Sequence, residues 1–153
     1  ANCKEYKLTY IDTGMGFELD GETFYTYDSL GRKAKREKYW WKKSGKEMKS
    51  VHLYIYDTQG NLTEEKVKDG YLQYTIKYKY DLQGHLIFMA DYDILGDASY
   101  PKSWKYDLNG NLIEKVDDGD KDVYEYNSMG LCIKHVKYRD NGKILFIVRY
   151  FYE

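Results

Sequence analysis

The chain has 153 residues, of which 24 are basic and 25 acidic, so its formal net charge is −1. This length predicts one domain over residues 1–153. The near-zero charge disfavours nucleic acid and membrane surfaces as partners. The lack of a long apolar run excludes a helical membrane span. The 19 Tyr, 5 Phe and 3 Trp exclude a disordered chain, because disordered segments are poor in aromatic residues.

An aromatic residue is followed by glycine four positions later nine times along the chain. In chain order, these segments are residues 10–14, 27–31, 41–45, 56–60, 80–84, 92–96, 106–110, 126–130 and 138–142. In five of them Asp follows the aromatic residue directly. Asp accepts backbone hydrogen bonds and Gly adopts positive φ, so each segment predicts a hairpin turn with an adjoining bulge.

Three further turns are predicted at Asp-Gly pairs in the widest remaining gaps, namely Asp20-Gly21, Asp69-Gly70 and Asp118-Gly119. The twelve turns predict an all-β fold, an antiparallel up-and-down meander of about 12–13 strands with essentially no helix. So many consecutive strands rarely stay flat and open, so we expect the sheet to curl or to close into a flattened barrel.

The register of these hairpins can be checked within the sequence. If Asp pairs with the residue after Gly, the aromatic residue faces the residue six positions later, as Tyr56 would face Leu62. Aromatic positions on one face must then lie an even number of residues apart across a single strand. Only the interval of 15 between Trp41 and Tyr56 is odd, which predicts a bulge or a longer loop within residues 45–50.

The same parity places most aromatic side chains on one face and a Lys-rich polar set on the other. Tyr124, Tyr126 and Val136 would share the aromatic face, whereas His135 would lie on the polar one. The final strand is apolar on both faces, so we expect a neighbour, a closing N-terminal strand or a partner chain to cover it.

The chain begins at Ala1 without Met, which the removal of a secretory signal would explain. Cys3 and Cys132 have no ligand spacing, so zinc is not indicated. In an exported protein the two could form a disulfide; the alternatives are a small buried Cys132 with a frayed Cys3, or a lipid anchor at Cys3.

Three stretches carry the repeat in its fullest form: YIYDTQGNL at 54–62, YKYDLQGHL at 78–86 and WKYDLNGNL at 104–112. They resemble the YD-repeat, or Rhs-type, family, and the chain is most similar to its small secreted bacterial proteins of unassigned function. The resemblance implies an exported β-strand array of the kind used in shells, adhesion modules and carbohydrate-associated surfaces. The large shells need far longer chains, so shell function is not implied here.

Residues 32–49 form a basic segment with nine Lys or Arg and two Glu, a net charge of +7, which leaves −8 on the rest of the chain. Cations beside exposed aromatic rings can bind anionic polymers or stack on sugars. The candidate ligand-binding residues are Arg36, Tyr39, Trp40, Trp41, Lys42 and Lys43, with Trp104 from another hairpin. The alternative is a solvated hairpin with Trp41 and Trp104 in the core, and the acidic remainder disfavours nucleic acid.

Other candidate chemistry in the sequence is weaker. Asp118, Asp120 and Asp122 offer the oxygen ligands that calcium prefers, but they lack EF-hand spacing, so an acidic hairpin tip is the favoured interpretation. The histidines at 52, 85 and 135 have no ligand-spaced neighbour, and no nucleophile motif is present. No cofactor is predicted, and a hydrolase is the disfavoured alternative to a non-enzymatic protein.

The sequence thus predicts an exported, non-enzymatic binding domain, located in the periplasm, at the cell surface or outside the cell. Its ligand would be carbohydrate or protein, bound in a Tyr-rich concavity or at the Trp/Lys hairpin. The alternative is a structural or partner-binding module that forms a homo-oligomer through its apolar last strand. An outer-membrane-type barrel ranks lower, because its aromatic face would carry Lys33 and Lys134 into lipid.

Overall fold

The structure, a computed structural model, describes residues 4–12, 17–42 and 45–152. These residues form twelve β-strands and no helix, which confirms the predicted all-β class. The strands are β1 (Lys4–Asp12), β2 (Phe17–Tyr27), β3 (Lys33–Lys42), β4 (Gly45–Tyr56), β5 (Leu62–Asp69), β6 (Leu72–Tyr80), β7 (Leu86–Tyr92), β8 (Ala98–Tyr106), β9 (Leu112–Asp117), β10 (Asp120–Tyr126), β11 (Cys132–Tyr138) and β12 (Ile144–Arg149).

The strands are ordered in the sheet as they are in the sequence, from β1 to β12. Each hairpin joins neighbours antiparallel, so the predicted up-and-down meander is confirmed. The order begins at β1 and ends at β12, so over the described residues the sheet is not closed into a barrel.

The chain divides into two compact units. The first unit comprises Ala1–Ile76 with Asp93–Leu95, and the second comprises Lys77–Tyr92 with Gly96–Glu153. The first contains β1 to β5 and the start of β6, and the second contains the end of β6 and all later strands. The single domain over residues 1–153 stays a prediction.

The loop between β4 and β5 shows how the repeat closes a hairpin. The Asp57 carboxylate accepts hydrogen bonds from the backbone N–H groups of Gln59 and Asn61 at 2.9 and 2.8 Å. Gly60 follows with φ of 94°, a region that residues with a Cβ rarely adopt. The same two backbone bonds recur at Asp28, Asp81, Asp107 and Asn127.

The residue after the turn glycine clamps the first residue of the turn. The Asn61 side-chain amide donates to Asp57 Oδ2 at 3.1 Å, and equivalent contacts at 2.7–2.9 Å join Arg32 to Asp28, His85 to Asp81 and Asn111 to Asp107. These contacts explain the Asn or His that follows the glycine in the repeat. They also show that His85 belongs to a turn.

The predicted pairing across the turns is confirmed. Tyr56 lies opposite Leu62, and the same offset of six joins Tyr106 to Leu112, Tyr126 to Cys132 and Tyr138 to Ile144. In each of these hairpins the register shifts by one residue between this pair and the next pair away from the turn. Each turn is therefore followed by a bulge in the outgoing strand.

The bulge predicted within residues 45–50 is also present. Lys38 pairs with Ser50, and the next residue, Tyr39, pairs with Met48, which leaves Lys49 as the extra residue of β4. The odd spacing between Trp41 and Tyr56 is thus accounted for.

The predicted turn at Asp20-Gly21 is wrong, because both residues lie inside β2. The register between β1 and β2 skips Asp20, so the pair marks a bulge. Gly21 is needed for a close approach, since a Cβ built there would lie 2.6 Å from the carbonyl oxygen of Tyr39. The meander has twelve strands because this turn is missing.

The prediction that aromatic side chains share one face is wrong, because the bulge after each turn inverts the alternation of the strand that follows. Beyond the bulge that follows the Tyr126–Cys132 pair, Tyr124 lies opposite His135, and their rings stack with centroids 4.5 Å apart. Tyrosines therefore occur on both faces of the sheet. The predicted Tyr-rich concavity required the tyrosines to share one face, and they do not.

Few apolar side chains are buried among the residues that the structure describes; they are Val67, Ala90 and Val136. The buried polar side chains are more numerous: Glu22, Thr23, Ser50, His52 and Asp122. Buried polar groups need hydrogen-bond partners. Hydrogen bonds between side chains of neighbouring strands therefore help to hold these side chains in place.

Candidate functional site

The candidate ligand-binding residues of β3 fall on opposite sides of the sheet. Successive residues of a strand point to opposite faces, and the pairing of β3 with β2 is unbroken from Lys35 to Trp40. Arg36, Lys38 and Trp40 share one face of the first unit, which we call the Arg36 face. Tyr39 and Trp41 lie on the other, the Tyr39 face.

The remaining candidates do not join this group. Trp104 is half-buried in β8 of the second unit, where it pairs with Lys115. Lys42 pairs with Gly45 at the end of β3, and Lys43 lies outside the described residues. Their role in ligand binding stays a prediction.

Trp40 is the exposed aromatic residue of the Arg36 face. It retains 37% of its surface accessible to solvent and lies opposite Gly21. Lys49, the bulged residue of β4, places its Nζ 4.1 Å from the centre of the Trp40 ring. A cation over an aromatic face is attracted by the ring quadrupole, so the Lys49 ammonium and the Trp40 ring interact and belong to the same part of the site.

A polar pocket of about 480 Å³ opens on the same face of the first unit. Its walls come from β1 to β6 and consist of Lys7, Thr9, Thr23, Tyr25, Arg36, Lys38, Lys49, Ser50, His52, Asp69 and Tyr74. The strand register explains this grouping, because Arg36 lies opposite His52 and Lys38 lies opposite Ser50. Without the bulge at Lys49 these side chains would not share a face.

A chain of hydrogen bonds crosses the floor of this pocket. Arg36 Nη2 lies 2.5 Å from His52 Nε2, and His52 Nδ1 lies 2.5 Å from Glu65 Oε1. Since the guanidinium can only donate, Nε2 is the acceptor, and Nδ1 carries the proton that it donates to Glu65. His52, 8% exposed, thus links Arg36 to Glu65 and positions the guanidinium.

The pocket carries a surplus of positive charge. Lys7, Arg36, Lys38 and Lys49 line it against one carboxylate, that of Asp69. Within the described parts of the chain none of the four cations is ion-paired. The site can therefore attract an anionic group and donate several hydrogen bonds to it.

The Tyr39 face is already occupied by a side chain of the protein. The Lys46 ammonium lies 4.6 Å from the Phe24 ring centre and 4.5 Å from that of Tyr39, and it forms an ion pair with Glu22. This contact with Lys46 lowers the pKa of Glu22, although partial burial opposes the shift. A pocket of about 280 Å³ beside this cluster is lined partly by the same residues.

The structure does not bring the calcium candidates together. Asp122 is 8% exposed and accepts a hydrogen bond from His135 Nε2 at 2.6 Å, while Asp120 lies 3.5 Å from Lys137 Nζ. Asp118 sits in the tight turn with φ of 51°. In residues 4–12, 17–42 and 45–152 there is no cluster of three or more His, Cys, Asp or Glu able to hold a metal ion.

Each of the three histidines has a carboxylate partner that the sequence did not reveal. His52 pairs with Glu65 and His85 with Asp81, while His135 pairs with Asp122. The first pair lines the Arg36 face, the second belongs to a turn, and the third lies between aromatic rings of the second unit. The first borders the polar pocket of the Arg36 face, and register alone would have revealed it once the bulge was placed.

Cys132 lies in β11, where its thiol is 3.5 Å from the Lys134 carbonyl oxygen. Cys3 lies outside the described residues, so the disulfide between the two and the lipid anchor at Cys3 stay predictions.

The last strand is exposed over its whole length. The apolar side chains of β12 that contact solvent are Ile144, Leu145, Phe146, Ile147 and Val148. The predicted cover of this strand is not found within the described chain. Over the same described ranges there is no helix suited to crossing a bilayer.

No protein-family model and no curated protein matches the chain. Among solved structures, the chain is similar to part of TcdB2-TccC3 in a crystal structure, with 14% identity and a TM-score of 0.67 over 97% of this chain and 9% of that one. A crystal structure of TcdB2-TccC3-TEV aligns with 15% identity over 87% of this chain and 8% of that one, but its TM-score of 0.37 carries no argument.

At this identity the first likeness shows the fold alone. The all-β meander fits a YD-repeat-like protein, as the resemblance in the sequence implies. The chain spans about a tenth of the length of the TcdB2-TccC3 chain that it matches.

Proposed function

We propose that the chain is a non-enzymatic, exported binding domain that takes a carbohydrate on the Arg36 face of its first unit. The observation that carries this proposal is the position of Trp40, an exposed ring beside a pocket lined with hydroxyl groups and cations. Sugars combine apolar C–H faces with hydroxyl groups, so a ring next to several hydrogen-bonding groups suits them.

The hydroxyl groups available for this role line the pocket from three strands. Thr9, Thr23 and Ser50 stand on three different strands, and the latter two are buried. Donors and acceptors held on strands are positioned more rigidly than those on loops, so little side-chain order has to be gained on binding.

A glycan array tests this proposal, with the wild-type chain and two tryptophan variants applied side by side. Trp40→Ala should lose its hits or weaken them by about tenfold or more, the effect of losing roughly 1.4 kcal/mol of stacking energy. Trp41→Ala is the matched control, because it removes the same side chain from the same strand on the opposite face, and it should keep the hits. An array without hits, or equal losses in both variants, would contradict the proposal.

A second candidate function is a partner-binding module that forms a homo-oligomer through β12. The observation that favours it is the run of exposed apolar residues on an edge strand, which presents unpaired backbone groups as well. The fold likeness to a small part of TcdB2-TccC3 is in keeping with a module that works within a larger protein assembly.

Light scattering over a range of concentrations separates the two functions. An oligomer that dissociates on Ile147→Lys would support the second, while Leu108→Lys, at an exposed turn tip of the same unit, should leave it intact. A strict monomer at high concentration excludes self-association through β12.

A further inference from the structure

We propose that the pocket of the Arg36 face recognises an acidic substituent of the glycan, a sulfate or carboxylate group, and that Arg36 is its main ligand. This inference rests on the proposed carbohydrate function and narrows it from sugars in general to sugars that carry an oxyanion.

The charge of the pocket favours an anionic ligand. Four cations from three strands face one volume of about 480 Å³, and the single carboxylate among the lining residues is Asp69. Like charges held close together repel, and an anion between them replaces repulsion with attraction. Other cations of the first unit are ion-paired, as Lys35 is with Glu37 and Lys46 with Glu22.

The Arg36 side chain is held in position but is not fully hydrogen-bonded. One edge of its guanidinium is held by His52, which Glu65 holds in turn, so the group is pre-oriented. Its Nε is buried and has no hydrogen-bond partner among the described residues. A buried donor without a partner is costly, and guanidinium groups bind oxyanions through neighbouring N–H groups. An oxyanion in the pocket would accept hydrogen bonds from the guanidinium N–H groups that His52 leaves free.

The pocket adjoins the Trp40 ring, on which the proposed sugar would stack. Lys49 lines the pocket and at the same time lies over the Trp40 ring. A sugar ring on Trp40 therefore lies beside a cation that also borders the anion pocket, so one ligand can engage both. The hydroxyl groups of Thr9, Thr23 and Ser50 are placed to bind the uncharged part of the same ligand.

A long polyanion such as a nucleic acid fits these observations less well. The basic segment at 32–49 carries +7, but the rest of the chain carries −8 and would repel an extended chain of phosphates. A single acidic group on a short saccharide would contact the pocket without approaching the acidic remainder of the chain.

Isothermal titration at low ionic strength tests the inference with three probes: a sulfated disaccharide, its unsulfated counterpart and inorganic sulfate. We expect the sulfated sugar to bind at least tenfold more tightly than the unsulfated one. Arg36→Gln should remove at least that advantage, and Lys38→Gln should reduce it severalfold. Lys68→Gln is the matched control, since it removes one positive charge from the opposite face and should change the affinity by less than twofold.

The outcomes separate this inference from the function on which it rests. If the unsulfated sugar binds equally well in a Trp40-dependent manner, the anion pocket is refuted and carbohydrate binding stands. If inorganic sulfate binds through Arg36 but neither sugar does, the pocket stands and the carbohydrate function falls. Equal losses in Arg36→Gln and Lys68→Gln, or equally tight binding of a single-stranded DNA homopolymer, would overturn the inference. Should Arg36→Gln fail to fold by circular dichroism, Lys38→Gln decides in its place.

Discussion

His52 in the first unit and His135 in the second both lie within a strand, but their surroundings differ. Both are paired with a carboxylate of a neighbouring strand, at 2.5 and 2.6 Å. Around His52 lie cations, hydroxyl groups and a pocket, and the Tyr54 ring is parallel to the His52 ring at 6.5 Å, whereas His135 stacks closely on Tyr124 at 4.5 Å and meets the edge of Phe146. The same pair of groups positions an arginine in one unit and packs rings together in the other.

This difference distinguishes a cluster that binds a ligand from a cluster that stabilises the fold. A cluster that serves packing should be costly to remove, because its polar atoms are satisfied only by each other. A cluster that serves binding should be tolerant of change and should reveal itself when ligand is added. The following predictions, in order of decreasing effect, either sharpen this contrast or remove it.

The largest effect is expected for Asp122→Ala in the second unit. The substitution leaves the half-buried His135 without its partner, which should cost about 2 kcal/mol. For a chain of this size the midpoint of thermal unfolding should fall by about 4 to 8 °C, measured by circular dichroism. Asp120→Ala is the control, because its ion pair with Lys137 is loose and should contribute less than about 0.5 kcal/mol. Equal effects of the two substitutions would contradict a packing role for Asp122.

A smaller effect is expected for Arg36→Gln in the first unit. The loss of one hydrogen bond to His52 is partly offset by relief of repulsion among the pocket cations, so the free energy of unfolding should change by less than about 1 kcal/mol. Urea denaturation provides the measurement. A loss as large as that of Asp122→Ala would show that both histidine clusters are structural and would remove the contrast.

The smallest effect at neutral pH is expected for Asp107→Asn in a turn of the second unit. The side-chain amide of Asn111 and the backbone N–H groups of the turn lower the pKa of Asp107. The charged carboxylate therefore stabilises the fold at neutral pH, and this contribution is lost as the pH falls through the lowered pKa.

The midpoint of thermal unfolding should thus fall on acidification in the wild type and fall less steeply in Asp107→Asn. The chain contains its own precedent for the substitution, since Asn127 makes the same two backbone hydrogen bonds without a charge. Identical pH profiles for the two proteins would contradict this role for the carboxylate.

Much of the architecture could be predicted because one short pattern carries it. Asp at the start of a turn and glycine at its end specify the hairpin locally, and the spacing between repeats locates even the bulge at Lys49. The pattern failed at Asp20-Gly21, where the same dipeptide serves a bulge and a close contact with the Tyr39 carbonyl group. A dipeptide alone does not distinguish these two uses of glycine.

The site could be predicted only in part, because the faces of the sheet depend on every bulge. Trp40 and the cations were visible as a basic, aromatic segment, but the parity argument ignored the extra residue after each turn. It therefore placed His135 on the wrong face relative to Tyr124. The contributions of His52 and Ser50 come from a strand whose alternation changes at Lys49, and those of Lys7 and Asp69 come from strands distant in sequence.

The central claim is that the bulge at Lys49 brings Arg36, Trp40 and His52 to one face of β3 and β4. Nuclear Overhauser effects between the side chains of Arg36 and His52 measure this register directly. The account predicts contacts between Arg36 and the His52 ring, and between Lys38 and Ser50. Contacts of Arg36 with Val51 in their place would contradict it, because that register puts His52 on the opposite face from Arg36.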